Sequence, residues 1–194
     1  YTKAELESLS RFCRLNGLYL YMDGARVGSA LTSPVNDLTL ADIAGLTDAF
    51  YIGGTKNGAL FGEALVILRD ELKPDFRFMI KQKGAMLAKG WLLGIQFEEM
   101  FQNRLFFDMA SHANAMAGKL RTALTDLGYT FAYDSQTNQL FPVFSNEMIE
   151  ELAKEFTFNI DKKIDETHSS IRLVTSWATT EDGVEEFIRC LKKY

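Results

Sequence analysis

Proline and cysteine are scarce here. Three prolines and two cysteines in 194 residues exclude both a proline-rich extended chain and a disulfide-stapled scaffold. Cys13 and Cys190 lie near opposite ends with no CxxC spacing, so no zinc cluster can be built on them, and reduced thiols in a cytosol fit best. No stretch approaches the roughly 18 uninterrupted apolar residues of a membrane span, and the opening Tyr1-Thr2-Lys3-Ala4-Glu5 lacks the apolar core of a signal peptide. A cytoplasmic location is the expectation. Positive charge is in deficit too: Lys plus Arg number 21 against 26 Asp plus Glu, a net charge of -5. That offers no broad footprint for nucleic acid or an anionic membrane and favours a small or local partner.

What remains is a chain able to bury a core, with 47% hydrophobic and 24% charged residues, of a length suited to one domain or a domain with a small companion. Thr2 and Glu5 read as a capping box. Leu6, Leu9, Phe12 and Cys13 then recur at helical spacing, and Asn16-Gly17 closes a helix of about fourteen residues. Leu18 to Met22 is a continuous apolar run of strand length, read as a buried strand that delivers Asp23-Gly24-Ala25-Arg26 at its carboxyl end. The unit repeats, with a short helix from Thr39 to Leu46 and a buried strand from Ala49 to Ile52 that delivers Gly53-Gly54-Thr55-Lys56-Asn57-Gly58. A third strand, Glu63 to Arg69, follows too closely for a helical crossover and is expected to run antiparallel to its predecessor.

From Phe76 to Phe101 the pattern is helical, with Met79, Met86, Leu93, Phe97 and Met100 on one side. Gly84, Gly90 and Gly94 each cost such a helix about 1 kcal/mol against alanine, so packing must compensate, and another subunit is the expected source. Asn103 to Leu127 predicts a long amphipathic helix closed by Gly128. Beyond it, Tyr129–Tyr133, Gln139–Phe144, Phe156–Asp161 and Ser170–Thr175 read as strands, with helices over Asn146–Glu155 and Thr180–Lys193. The expected fold class is therefore α/β for residues 1–102, with a small α+β domain over 103–194. Ligands of α/β sheets bind outside the carboxyl ends of the strands, which is where both polar loops fall. His112, in the long helix, and His168, in a polar turn, are expected at the surface.

Asp23 and Arg26 stand three residues apart in the first loop. An aspartate at the end of a buried strand is partly desolvated, which raises its pKa unless a cation stabilises the charged form. Its functional reading is a carboxylate aimed at a cationic ring nitrogen; its bland one is a turn cap paired with the arginine. In the second loop, Lys56 precedes Asn57-Gly58 and a strand rather than a helix follows, so a Walker A phosphate loop is a poor match. Small residues around a single lysine let a bulky ligand approach and leave the amine poorly hydrated, the condition for a nucleophile. Read alone, such a lysine is more often a solvated loop charge. The pair says more: pyridoxal phosphate enzymes need a lysine to hold the cofactor and an acid to keep its pyridine nitrogen protonated, and Asp23 and Lys56 end two successive strands.

On the segments "YMDGARVGSAL", "YIGGTKNGALFGEALVI" and "IRLVTSWATTEDGVEEFI", the chain resembles the fold type I pyridoxal phosphate enzymes, within them the threonine aldolase and β-eliminating lyase group. The resemblance implies part of a fold type I large domain followed by the small carboxyl-terminal domain. It matches Lys56 to the lysine that carries pyridoxal 5'-phosphate, Asp23 to the partner of the ring nitrogen and Ala25 to the small residue on one ring face. Arg26 matches an arginine near the cofactor that helps hold the substrate carboxylate. Arg172 matches the carboxylate-binding arginine of the small domain, although an arginine on an edge strand normally faces solvent.

The implied reaction is cleavage of threonine-like β-hydroxy amino acids to glycine and an aldehyde, in a homodimer or homotetramer. The alternatives are β-elimination on the same cofactor, or a non-catalytic fragment. Departures are visible as well. Where the family's common lysine loop reads SKGLxxPVG, this one reads Gly54-Thr55-Lys56-Asn57-Gly58-Ala59-Leu60-Phe61-Gly62, and the family's GGGMRQAG corresponds to Lys83 to Gly90. Leu87 thus replaces an arginine for which Lys81 or Lys83 could substitute. The phosphate-binding loop and ring-stacking residue have no counterpart before Asp23, so the resemblance implies the carboxyl-terminal portion of a longer enzyme, inactive alone, whose sheet would lack neighbours around Tyr19, Tyr51 and Val66.

Overall fold

The computed structural model describes all residues from Tyr1 to Tyr194 and divides into two compact units, Tyr1–Asp108 and Met109–Tyr194. In the first, helix α1 (Lys3–Leu15) starts at the Thr2/Glu5 capping box, and Gly17 follows it with φ +65°. Strand β1 (Tyr21–Met22), helices α2 (Val27–Leu31) and α3 (Leu40–Leu46), and strands β2 (Ala49–Gly53) and β3 (Glu63–Ile67) come next. The sheet order is β1-β2-β3; β1 and β2 are parallel, while β2 and β3 are antiparallel. Helix α3 has a capping box of its own, Thr39 with Asp42, and Lys3 of α1 bridges to Asp42 at 2.6 Å. Leu6, Cys13, Val27, Ile43, Phe50 and Ile52 form the buried apolar interior of this part.

Two expectations change in this unit. The run Leu18–Met22 is not a buried strand: only Tyr21–Met22 pairs, and Leu18, Tyr19 and Tyr21 are exposed. The reason is position, since β1 lies at the sheet edge with β2 as its one partner. The helical stretch 76–101 is two helices, α4 (Phe76–Gln82) and α5 (Trp91–Phe101). Gly84 takes φ +71° between them, a conformation that ends a helix. Of the five apolar residues expected to line it, only Met100 is buried.

Asn103 and Arg104 adopt positive φ, so the long helix α6 begins at Leu105 and runs to Asp126. In the second unit β4 (Gln139–Leu140), β5 (Val143–Ser145), helix α7 (Asn146–Leu152), β6 (Asn159–Lys163), β7 (His168–Val174) and helix α8 (Glu181–Leu191) follow. Strand β7 is central, antiparallel to β4, β5 and β6. Pro142, which has no N–H for a ladder, divides the single strand expected over Gln139–Phe144. Tyr129–Tyr133 contributes only the bridge between Phe131 and Pro142. The core gathers Leu124, Leu140, Phe144, Leu152, Ile171 and Leu191, each nearly or wholly inaccessible. No helix is long and apolar enough to cross a membrane.

Candidate active site

The parallel pairing of β1 with β2 sets the two polar loops side by side. Tyr21 is level with Ala49 and Met22 with Phe50, so continuing the register brings Asp23 level with Tyr51. The backbone closes the pair, with the Gly53 N–H donating to the Gly24 carbonyl at 2.9 Å. The approach is tight enough to require glycine, because a Cβ on Gly24 would fall 1.7 Å from the Tyr51 carbonyl oxygen and one on Gly53 2.3 Å from that of Ala25.

Within this frame Asp23 is exposed, and its Oδ1 accepts two hydrogen bonds, one from the Tyr51 hydroxyl and one from the Ala25 N–H at 3.0 Å. The Tyr51 bond, the Ala25 bond and, more weakly, the charge of Lys56 hold the carboxyl below its ordinary value of 3.8. This corrects the sequence reading, in which a partly desolvated aspartate needs a cation to stay charged. The aspartate is in solvent, and a phenol does most of the work. Reciprocally, the hydrogen bond to Asp23 pushes the Tyr51 hydroxyl up to about 12.

Lys56 lies in a single 3-10 turn, Thr55–Asn57, directly after β2. Its neighbours are tied down: the Gly54 N–H donates to Glu63 Oε2 at 2.8 Å, and the buried Asn57 side chain donates to the Phe106 carbonyl at 2.8 Å. Lys56 itself is exposed rather than enclosed by the glycines. Ala25 and Arg26 are half-buried, and Arg26 is the cap residue of α2, a helix absent from the sequence reading.

Asp23, Ala25, Arg26 and Lys56 thus share one unit and one end of its sheet. Arg172 belongs to the other unit. It lies on the central strand β7, opposite Asn159 of β6, and not on an edge as expected; its Nε is buried with no hydrogen-bond partner. His112 is half-buried and contacts the Thr179 carbonyl at 2.7 Å, whereas His168 is exposed beside Thr167 and Asp165. Tyr51 is the residue that sequence reasoning passed over, having counted it only as part of an apolar strand. Its signal was available: a tyrosine inside such a strand needs a partner for its hydroxyl.

The α/β sheet with its carboxylate and lysine loops, followed by a small α+β unit, is the architecture of the fold type I pyridoxal phosphate-dependent enzymes. An aspartate aminotransferase mutant of Thermus thermophilus shares that fold at a TM-score of 0.71 and 16% identity, over 100% of this chain and 52% of that one. A family model described as beta-eliminating lyase matches residues 1–147, and the chain belongs to that family. A threonine aldolase of Leishmania major matches with a TM-score of 0.97 and 53% identity, over 100% of this chain and 56% of that one. A low specificity L-threonine aldolase of Pseudomonas aeruginosa is 31% identical over 99% of this chain and 55% of its own length. The chain spans about half the length of the curated relatives it matches.

Proposed function

We propose that this chain forms part of a pyridoxal 5'-phosphate-dependent lyase that cleaves threonine-like β-hydroxy amino acids to glycine and an aldehyde. The observation that carries the reading is the pairing of an ionised Asp23 with an exposed Lys56 at the carboxyl ends of adjacent strands. The names of the similar enzymes from Leishmania and Pseudomonas support the substrate class. The donor set suits the cofactor: Asp23 offers Oδ2, which receives neither of the two bonds made to Oδ1, to a protonated ring nitrogen, and Lys56 offers a primary amine to an aldehyde.

When bound, the cofactor supplies an electron-accepting ring that lowers the barrier to breaking the Cα–Cβ bond. Lys56 is the residue that holds it, and Asp23 keeps a proton on the ring nitrogen by staying charged. Ala25 has too small a side chain to crowd a ring face. Arg26 and Arg172 are assigned to the substrate carboxylate, a group that a planar guanidinium binds in bidentate fashion. For Arg172 the buried Nε without a partner supports this, since such a group is costly unless something pairs with it. Self-association into a dimer or tetramer is part of the proposal, supported by the exposed Phe78, Met79, Trp91 and Ile95 on α4 and α5. A cytoplasmic site is supported by two buried free thiols.

Product analysis with threonine tests the reaction in the longest natural polypeptide that contains these residues. Glycine and acetaldehyde in equal amounts are expected. Ammonia with a keto acid would instead assign β-elimination.

A further inference from the structure

We propose that Tyr51 is a positioning residue for Asp23: its hydroxyl anchors Oδ1 so that Oδ2 is left to pair with the cationic nitrogen of a bound pyridine ring. This rests on the cofactor reading above and adds to it a residue outside the lysine, aspartate and arginine set.

The argument is geometric. A free aspartate at a loop tip rotates about two bonds, and pairing with a ring fixes both at an entropic cost. Here two donors converge on one oxygen, the Tyr51 hydroxyl from β2 and the Ala25 N–H from the loop itself, so the carboxylate plane is set before any ligand arrives. Tyr51 can serve as that anchor because its own backbone is held in β2 by pairing with β3, level with Leu65. Its ring also stacks on Tyr21 at 6.3 Å. The ionisable groups facing this pair are Lys56 on the Asp23 side and Glu63 and Tyr21 on the Tyr51 side. Lys56 favours the charged aspartate, while Glu63 and Tyr21 disfavour ionisation of the phenol. All of them keep the proton on Tyr51 and the charge on Asp23.

The test compares wild type, Tyr51→Phe and Asp23→Asn in the longest natural polypeptide, reading the Kd for pyridoxal 5'-phosphate by absorbance across pH. Phenylalanine keeps the ring and its stacking. The expected result is a Kd about tenfold weaker at pH 7, the order of one hydrogen bond to a charged group, with the acid limb of the Kd profile moved to higher pH. That direction follows because the phenol is the main group lowering the Asp23 pKa. Asp23→Asn should lose binding at every pH.

A Tyr51→Phe protein with wild-type Kd and profile overturns the positioning role while leaving the cofactor reading intact. Failure of wild type to bind overturns both. A second measurement needs neither cofactor nor the phenylalanine variant. Among the seven tyrosines, the one titrating near 12 should move down toward 10 in Asp23→Asn, and no movement would also overturn the proposal.

Discussion

A methyl group on Gly24 would lie 1.7 Å from the Tyr51 carbonyl oxygen and 2.9 Å from its carbonyl carbon, backbone atoms that cannot give way as a flexible side chain could. Gly24→Ala is therefore expected to destabilise the fold by about 2–4 kcal/mol, in the range of severe single substitutions, measurable by urea denaturation. Gly45→Ala, which meets nothing within 4 Å, should be neutral or slightly stabilising. The same close approach explains what was legible at this scale. Asp23 and Lys56 could be picked out because their residue types and strand-end positions belong to a known chemistry. For Tyr51 the need of a hydroxyl partner was legible but not the partner, because that depends on the register between β1 and β2, which a single sequence does not specify. The expected partial desolvation of Asp23 and enclosure of Lys56 failed for a related reason: Gly53 packs against the Ala25 backbone and Gly54 against the Gly62 carbonyl and the Phe97 ring, not around the lysine.

At the scale of elements, the two capping boxes are joined. Asp42 caps α3 through Thr39 and pairs with Lys3 at the start of α1, and the Lys3 hydrogen bond, followed by those from Thr39, lowers its carboxyl from 3.8 to about 2. A group whose folded pKa is depressed adds stability above its unfolded pKa and loses it as pH falls through the folded one. Asp42→Asn should thus lower the melting temperature at pH 7 and have a much smaller effect near pH 2, where the folded-state carboxylate is already about half protonated. Equal effects at both would contradict the linkage. Thr39→Ala, which removes the cap hydroxyl, should cost about 1 kcal/mol.

Helices α1, α3, α7 and α8 were legible within a few residues, since caps and spacing are local signals. Misreadings arose where tertiary position decides. The apolar run at Leu18 is an edge strand, Arg172 sits on a central strand rather than an edge one, and the α4–α5 stretch breaks at Gly84.

For the whole molecule, two units with separate cores accompany a chain that spans about half the length of its curated relatives. The apolar residues Phe78, Met79, Trp91 and Ile95 on α4 and α5 belong to this scale, because their own unit leaves them exposed. If they meet a second copy, Trp91→Asp should shift sedimentation of the longest natural polypeptide toward monomer without changing its far-ultraviolet circular dichroism. An unchanged sedimentation coefficient would remove that face from the interface. The central claim, that the loop after β2 carries the cofactor lysine, is tested most directly by incubating that polypeptide with pyridoxal 5'-phosphate, reducing with borohydride and mapping the adduct by peptide mass spectrometry. The account predicts one pyridoxyl group per chain, on Lys56; an adduct on another lysine, or none, would contradict it.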